Sequence, residues 1–462
     1  MALTVSLDEI ISGGNALLSI KPHWKRVRLG DIGEVLNGFA FKAELFTREG
    51  GMPLIRIRDV GSAASETFYS GDYDERYVVT AGDLLVGMDG DFNCARWHGP
   101  RSLLNQRVCK ITVDESLYLP RFLDYVLPGY LKAINDATSS VTVKHLSSRT
   151  IQDIPLPLPP MDEQREIVAE IEKQFSRLDE AVANLQRVKA NLKRYKASVL
   201  KAAVEGRLVE TEASIAQREG RSYETGEKLL QRILEERRAK WALKKKYVEP
   251  ESAECPMLES LPEGWANATV EQLSQLVEYG SSSKTSDDAT GIPVLRMGNI
   301  FEGELRFDDL KYLPKEHDEF PKLLMNDGDL LFNRTNSPEL VGKVAVFQAK
   351  STSYSFASYL IRVRTVTGVL PNFLAAYINS NFGRQWVKSV VTQQVGQANV
   401  NGTKLQALAV PLPPLAEQTR IVAELDRHMT IIREVESEVD VNLQRAQALR
   451  QATLSKAFGT GQ

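Results

Sequence analysis

Cysteine is scarce in this sequence. The 462 residues hold three, Cys94, Cys109 and Cys255, and no CxxC pair. A sparse, odd count argues against a secreted disulfide scaffold and against a structural zinc site. The five histidines form no HExxH. No apolar run approaches the ~18–20 residues that span a bilayer. The opening MALTVSLDEI carries acidic residues where a signal peptide needs a basic start and an apolar stretch. The expected location is therefore the cytoplasm, with no membrane contact. Excess charge is missing too: the formal net charge is −3. That excludes a chain that holds nucleic acid by being basic overall, but not one with a local basic face. Two catalytic signatures are absent. There is no GxxxxGK[ST] for a P-loop motor, and no [ND]-P-P-[YF] for adenine methyl transfer. The acidic turn GMDGDF around Asp89 and Asp91 has the composition of a solvated loop, so no metal site is expected.

What is present is an ordinary globular composition, 43% hydrophobic and 25% charged. At roughly 100–200 residues per domain, the length suggests two to four domains. The chain also repeats itself once. WKRVRLGDIGEVLNGFAF from Trp24 matches WANATVEQLSQLVEYGSSS from Trp265. PLIRIRDV from Pro53 matches PVLRMGNI from Pro293, and AGDLLVG from Ala81 matches DGDLLFN from Asp327. PLPPMDEQREIVAEI from Pro157 matches PLPPLAEQTRIVAEL from Pro411. The order is kept, and a period of roughly 250 residues means two homologous domains rather than a solenoid. Each copy begins with short strands, such as Pro53–Arg58 and Asp83–Val86, in which Leu84–Leu85 and Leu330–Leu331 look buried. Helical spacing follows over Arg121–Ala133 and Asn372–Val387.

A long helix follows each proline block. The block holds the chain extended and stops backward growth of the helix. Asp162 and Glu163 then complement the dipole of the first helix. Ile171, Leu178, Leu185, Leu192 and Val199 recur every seven residues, with Ala181, Val188, Tyr195 and Ala202 as companions. The second helix repeats the period through Leu425, Ile432, Val439 and Ala446, with Val435 and Leu449 alongside and His428 and Asn442 weakening the seam. Two apolar positions in seven make a coiled-coil seam. Helices of ~40 residues, ~60 Å long, cannot expose such a seam, so the two are expected to pair with each other, antiparallel.

The expected fold is α+β: two homologous mixed domains, two long antiparallel helices and an internal pseudo-two-fold repeat. The expected boundaries are a tail over 1–21, a first domain over 22–160 and a first helix over 161–205. A central linker with a basic helix covers 206–261, a second domain 262–414 and a second helix 415–459.

This order resembles the specificity subunit of type I restriction–modification systems. The resemblance rests on Pro157–Pro160 with Glu163 and Gln164, on Pro411–Pro414 with Glu417 and Gln418, and on the central GRLVETEASIAQREGRS, LLQRILEERRAKW and LPEGW. It covers essentially the whole chain. It implies a non-catalytic adaptor without cofactor. Each domain reads one half of a split double-stranded DNA target, and the coiled coil sets the spacer. Two adenine methyltransferase subunits dock on it, and an ATP-dependent restriction subunit is an optional further partner. A protein–protein scaffold of the same architecture, without DNA readout, stays open at this point.

A split-site reader needs cations and amides on phosphates, and side chains of fixed donor–acceptor pattern at base edges. The candidates in the first domain are Lys42, Asn93, Arg96, Thr142 and Lys144. Those in the second are Ser282, Lys284, Asn333, Arg334, Asn336, Gln394, Gln397 and Asn399. For Ser282 and Lys284, in GSSSKTS, the competing reading is a disordered loop; for Gln394, Gln397 and Asn399, and for Thr142 and Lys144 in the matching SSVTVKH, it is a shared structural turn that anchors domain to helix. Arg56 and Arg296 occupy matched positions and serve either DNA or an ion pair. Trp97 either stacks or packs, and His145 reads as a surface residue. Glu163, Gln164, Glu417 and Gln418 cap helices, and the resemblance adds partner contact. The basic stretch RILEERRAKWALKKKY either touches a partner or is a solvated helix with Glu–Arg pairs.

Overall fold

Each proline block returns the chain to the start of its own copy. Pro155–Leu158 pairs antiparallel with Lys25–Arg28, and Ala409–Leu412 pairs with Ala266–Thr269. These are two-stranded edges, where prolines cost no ladder bonds. The computed structural model describes residues 6–13, 18, 20–138, 144–241, 246–253, 255, 260–337, 340–348, 352–394 and 397–459, without the side chains of 393, 394 and 397. The chain forms two compact units: Met1–Gln186 with Asp440–Gln462, and Arg187–Val439.

The heart of the first unit is a four-stranded antiparallel sheet in the order Gly33–Asn37, Val108–Val113, Leu84–Gly87, Cys94–Arg96. The second unit repeats it with Ser274–Tyr279, Leu360–Thr365, Leu330–Asn333, Val344–Val346. The double leucines are explained by alternation along a strand buried on both faces. Leu84 faces one hydrophobic cluster and Leu85 another, and Leu330 and Leu331 divide in the same way. The strands expected through Arg58 stop earlier. Met52–Ile55 and Ile292–Leu295 are followed by tight turns, in which Asp59 and Asn299 accept from the backbone N–H of Arg56 and Arg296 at 2.9 and 2.8 Å.

The first copy's domain helix runs Pro120–Ala137. The second copy's counterpart is two helices, Pro371–Asn379 and Asn381–Val390, because Ser380 is extended (ψ 170°). At the N-terminus, Leu7–Ser12 is a helix closed by a reciprocal Ser6–Glu9 cap. Leu7, Ile10 and Ile11 pack on the core of the first unit, and Leu18 is buried in it.

The long helices run Met161–Val204 and Leu415–Phe458. Gly206, at φ +68°, ends the first one in the left-handed conformation that glycine tolerates. In the second unit the Tyr195 hydroxyl meets His428 Nδ1 at 3.0 Å, and further along Val199 and Ala203 share a cluster with Leu425 and Ile421. Numbers rise on one helix as they fall on the other, so the pairing is antiparallel. In the first unit Arg450 pairs with Asp179 at 2.9 Å and lies over the Phe175 ring.

Ile171, Val199, Leu425, Ile432 and Val439 are buried, and Leu178, Leu185 and Leu192 are half-buried. The expected companion positions divide: Ala202 and Val435 are half-buried. Ala181, Val188, Tyr195 and Leu449 are exposed, while Phe175, Val182, Lys196 and Ala203 turn inward. Residues three before and three after a seam position flank it on opposite sides. The covered flank is that of Phe175, Val182 and Ala203, while exposed Tyr195 on the other flank still reaches across to His428; Lys196 turns inward with its Nζ 3.4 Å from the Glu302 carboxylate. Among the described residues no helix is long and apolar enough to cross a membrane, and no cluster of His, Cys, Asp or Glu could hold a metal ion.

Candidate nucleic-acid interface

The EQ pair after each proline block is spent inside the chain. In the first copy the Trp24 indole N–H donates to Glu163 at 2.9 Å, and Lys21 Nζ donates to the same carboxylate at 2.9 Å. Gln164 accepts from Leu119 N at 2.8 Å and donates to Leu117 O and Pro159 O. The second copy repeats this. Trp265 donates to Glu417 at 2.9 Å, Leu370 N donates to Gln418 at 2.9 Å, and Gln418 donates to Gly368 O and Pro413 O. Gln164, Glu417 and Gln418 are 0% exposed. The partner-contact expectation is corrected for those three: a fully enclosed side chain has no face for a partner. The device fixes the long helix to the strand pair and to the start of the domain helix, and thereby holds each sheet.

At the far end of the second sheet, segments distant in sequence converge. Thr335–Asn336 pairs with Gln397–Asn399, which also pairs with Thr392–Gln394. Thus NRTNS and QQVGQANV form one small sheet, bringing together Arg334, Asn336, Gln394, Gln397 and Asn399. The Arg334 guanidinium lies over the Tyr279 ring, 4.6 Å from its centre. Arg334 Nε is buried without a partner among the described residues, and Nη2 reaches Asn399 Oδ1 only at 3.5 Å. Asn399 Nδ2 donates to Thr335 Oγ1 at 3.0 Å. The backbone of Tyr359 closes the junction by accepting from Arg334 N at 3.1 Å, and the Tyr359 side chain is 51% exposed. Asn333 is a correction: it ends the buried strand and is 1% exposed, so its amide cannot reach a base edge. Ser282 and Lys284 are exposed on a loop tied down by neighbours, where Ser281 hydrogen-bonds Glu319 and Ser283 meets His317.

The first domain builds the same junction from other side chains. Asp89 bridges His145 as Thr335 does Asn399. Met88 N donates to Arg107 O at 2.8 Å, as Arg334 N does to Tyr359 O, and Leu146 N donates to Met88 O as Val400 N does to Arg334 O. Asp89 Oδ1 lies 2.6 Å from His145 Nδ1, and Arg107 Nη1 lies 3.1 Å from the same nitrogen. Exposed Phe39 sits beside Tyr77. Gly38 and Gly280 pass so close to the Asn105 and Phe356 carbonyls that a Cβ at either would overlap them, so both junctions require glycine there.

The remaining candidates scatter. Lys144 is half-buried at this junction, its Nζ on Asn135 O and Oδ1 at 2.7 and 2.9 Å. Asn93 is exposed at the turn beyond Gly87, and Lys42 is exposed in the loop that follows Gly33–Asn37. Thr142 lies outside the described residues. Arg96 is a further correction: its guanidinium holds Asp124 at 2.7 Å together with Gly82 O and Pro120 O, which ties sheet to helix. Trp97 is buried and donates to Pro100 O. Arg296 pairs with Asp309 at 3.0 Å. The linker helix Gly226–Ala239 buries Leu229 and Ile233, and Arg232 pairs with Glu224 and Glu236. The sequence reading missed Arg107, Asp89 and His145 as parts of one place in the first domain, and Tyr279 as the platform of Arg334 in the second. Asp89 and His145 carried a signal only if taken together.

The family model for the type I restriction modification DNA specificity domain matches residues 22–194 and again 262–441. The chain belongs to the type I restriction–modification specificity family. It is 34% identical over 450 residues to the type I restriction enzyme EcoBI specificity subunit of Escherichia coli, covering 96% of this chain and 87% of that one. It is 22% identical to the EcoKI specificity subunit of Escherichia coli strain K12, covering 94% and 88%. A solved chain described under "complex assembly and conformational transition of the type I R-M system" shares the fold, with TM-score 0.61 at 19% identity, covering 95% of this chain and 98% of that one. A specificity-family chain needs one reading surface per domain, and the matched junctions are where the two domains combine equal backbone with unequal exposed side chains.

Proposed function

We propose that this chain is the non-catalytic DNA-reading subunit of a type I restriction–modification system. Each domain reads one half-site of a bipartite double-stranded target with the residues of its junction. The long helices set the spacer and carry two adenine methyltransferase subunits, with ATP-dependent restriction subunits as optional partners, in the cytoplasm. The reading rests on one observation: the same junction is built twice, on the same sheet frame, with different exposed side chains. Such an arrangement keeps the backbone geometry of DNA approach while letting the two half-sites differ. Much of the positive potential a DNA complex needs then comes from the partners, since the chain itself carries −3.

The test is single-molecule methylation sequencing of the source genome with the gene intact and deleted, in cells shown to express the methyltransferase. Loss of adenine methylation at one motif of two short half-sites around a fixed gap is the expected result. An unchanged methylation pattern would overturn the reading.

A further inference from the structure

Both junctions hold a half-exposed or part-buried guanidinium whose donors the fold leaves unspent. In the first domain it is Arg107. Its backbone is left-handed, φ +74°, which few residues other than glycine adopt. The backbone amide and carbonyl around it serve the junction, so the side chain is the part not needed for the fold. That side chain is 52% exposed. Its Nε lies 3.7 Å from Asp89 Oδ2, a loose pair in solvent. Its Nη1 lies 3.1 Å from His145 Nδ1, but that nitrogen already meets Asp89 Oδ1 at 2.6 Å. A ring nitrogen that donates to a carboxylate has no lone pair left for a guanidinium, and the other ring nitrogen, Nε2, is 3.5 Å from Nη1, at the limit of a hydrogen bond. Arg107 is thus oriented by Asp89 and His145 without being saturated by them. Arg96 gives the contrast: 21% exposed, with its fork taken by Asp124 and two carbonyls.

In the second domain the charge comes from the opposite side of the same backbone pair. Arg334 occupies the place of Met88, and Tyr359 that of Arg107. Arg334 is flattened on Tyr279; among the described residues Nε has no partner, and the side-chain acceptor that Nη2 meets, Asn399 Oδ1, is 3.5 Å away. Stacking fixes the plane of a guanidinium while leaving its edge for a ligand.

We propose that Arg107 and Arg334 are the specificity-determining arginines of the two half-sites, each reading a guanine at its major-groove edge. A planar fork of donors held in a fixed plane matches the O6 and N7 acceptors of guanine and no other base edge. The proposal rests on the DNA-reading function above and names the side chains and base class that carry it.

The experiment uses the full chain reconstituted with its methyltransferase on a random-sequence duplex library, reading adenine methylation against sequence. Two substitutions are chosen to keep the fold. Arg107→Gly suits the left-handed backbone. Arg334→Met places there the residue that the first domain carries at the equivalent position. Arg107→Gly is expected to lower the preference for guanine at one position of one half-site by roughly 5- to 150-fold, the range one bidentate base contact supplies, and to leave the other half-site untouched. Arg334→Met is expected to do the converse. Arg107→Lys keeps the charge and loses the fork, so it should behave like Arg107→Gly. Unchanged base preferences in both variants overturn the proposal. So does an equal weakening on all sequences with a shallower salt dependence, the mark of a phosphate contact. A wild-type complex that selects no bipartite sequence would instead overturn the DNA-reading function itself, and this proposal with it.

Discussion

The two glutamates of the duplicated motif do the same job and titrate in opposite directions. Burial pushes the Glu163 carboxyl up, but hydrogen bonds from Lys21, Trp24 and His23 outweigh it, so the group sits below its ordinary 4.5. Burial dominates at Glu417 despite the N–H groups of Glu212 and Trp265, so it sits above 4.5. A lowered carboxyl contributes stability that is present above pH 4.5 and is lost as pH falls through its native value. A raised carboxyl does the reverse: its contribution is full below 4.5 and is lost as pH rises through its native value. Thermal melts of the full chain should therefore diverge by variant. Between pH 4.5 and neutrality, Glu417→Gln should gain on wild type as pH rises, whereas Glu163→Gln should trail wild type and close the gap only on acidification below 4.5. Parallel curves for the two variants would contradict this. The neighbouring glutamine is less forgiving. Gln418→Leu takes the acceptor from the part-buried Leu370 N–H, and a loss of about 1 kcal/mol is expected in denaturant titrations.

At the scale of elements, the matched sheets carry unequal charge. Asp329 is fully enclosed between Arg362, itself 1% exposed, and Arg364, whose guanidinium holds it at 2.6 Å. The corresponding pair in the first sheet, Asp83 and Lys110, is 3.6 Å apart and partly exposed. Asp329→Asn leaves Arg362 buried with half its neutralisation and should cost about 3–5 kcal/mol of unfolding free energy. Asp83→Asn should cost about 0–1 kcal/mol. The helix seam gives a similar contrast: Leu425→Ala should cost about 2–5 kcal/mol, and Leu449→Ala, at an exposed position, about 0.5 kcal/mol or less. These elements were legible in the sequence to different degrees. The duplication, the long helices and the buried double leucines follow from order and periodicity. Period seven located Ile171 to Val199 but not which flank faces the partner, because Val182 and Ala181 suit a seam equally until a neighbour is placed. The split of the second domain helix at Ser380 left no proline or charge to announce it. Of the candidate surface, Arg334 and Asn399 were readable as residue types. Arg107 was not, because its role depends on pairing with Met88, Asp89 and His145 across the fold. Arg96 looked available because sequence does not show that Asp124 lies beside it.

At the scale of the whole chain, the residues of each long helix are divided between the two compact units. If they set the gap between half-sites, a seven-residue insertion between Leu185 and Leu192, matched in the second helix, keeps the seam in phase and should lengthen the methylated motif's spacer or abolish assembly. An unchanged spacer with full methylation would remove the helices from that role. The ends of these helices have a consequence for synthesis. Val204 belongs to the second unit's core, and Phe458 sits 4% exposed in the first unit's core, edge-on to Phe122. Chains leave the ribosome N-terminus first, and domains generally fold in that order. Here the domain made first is completed by a residue that is made only after the whole of the second domain. A chain interrupted before Phe458 would carry an open first domain rather than merely a shorter helix, so such translation products would expose apolar surface to proteolysis.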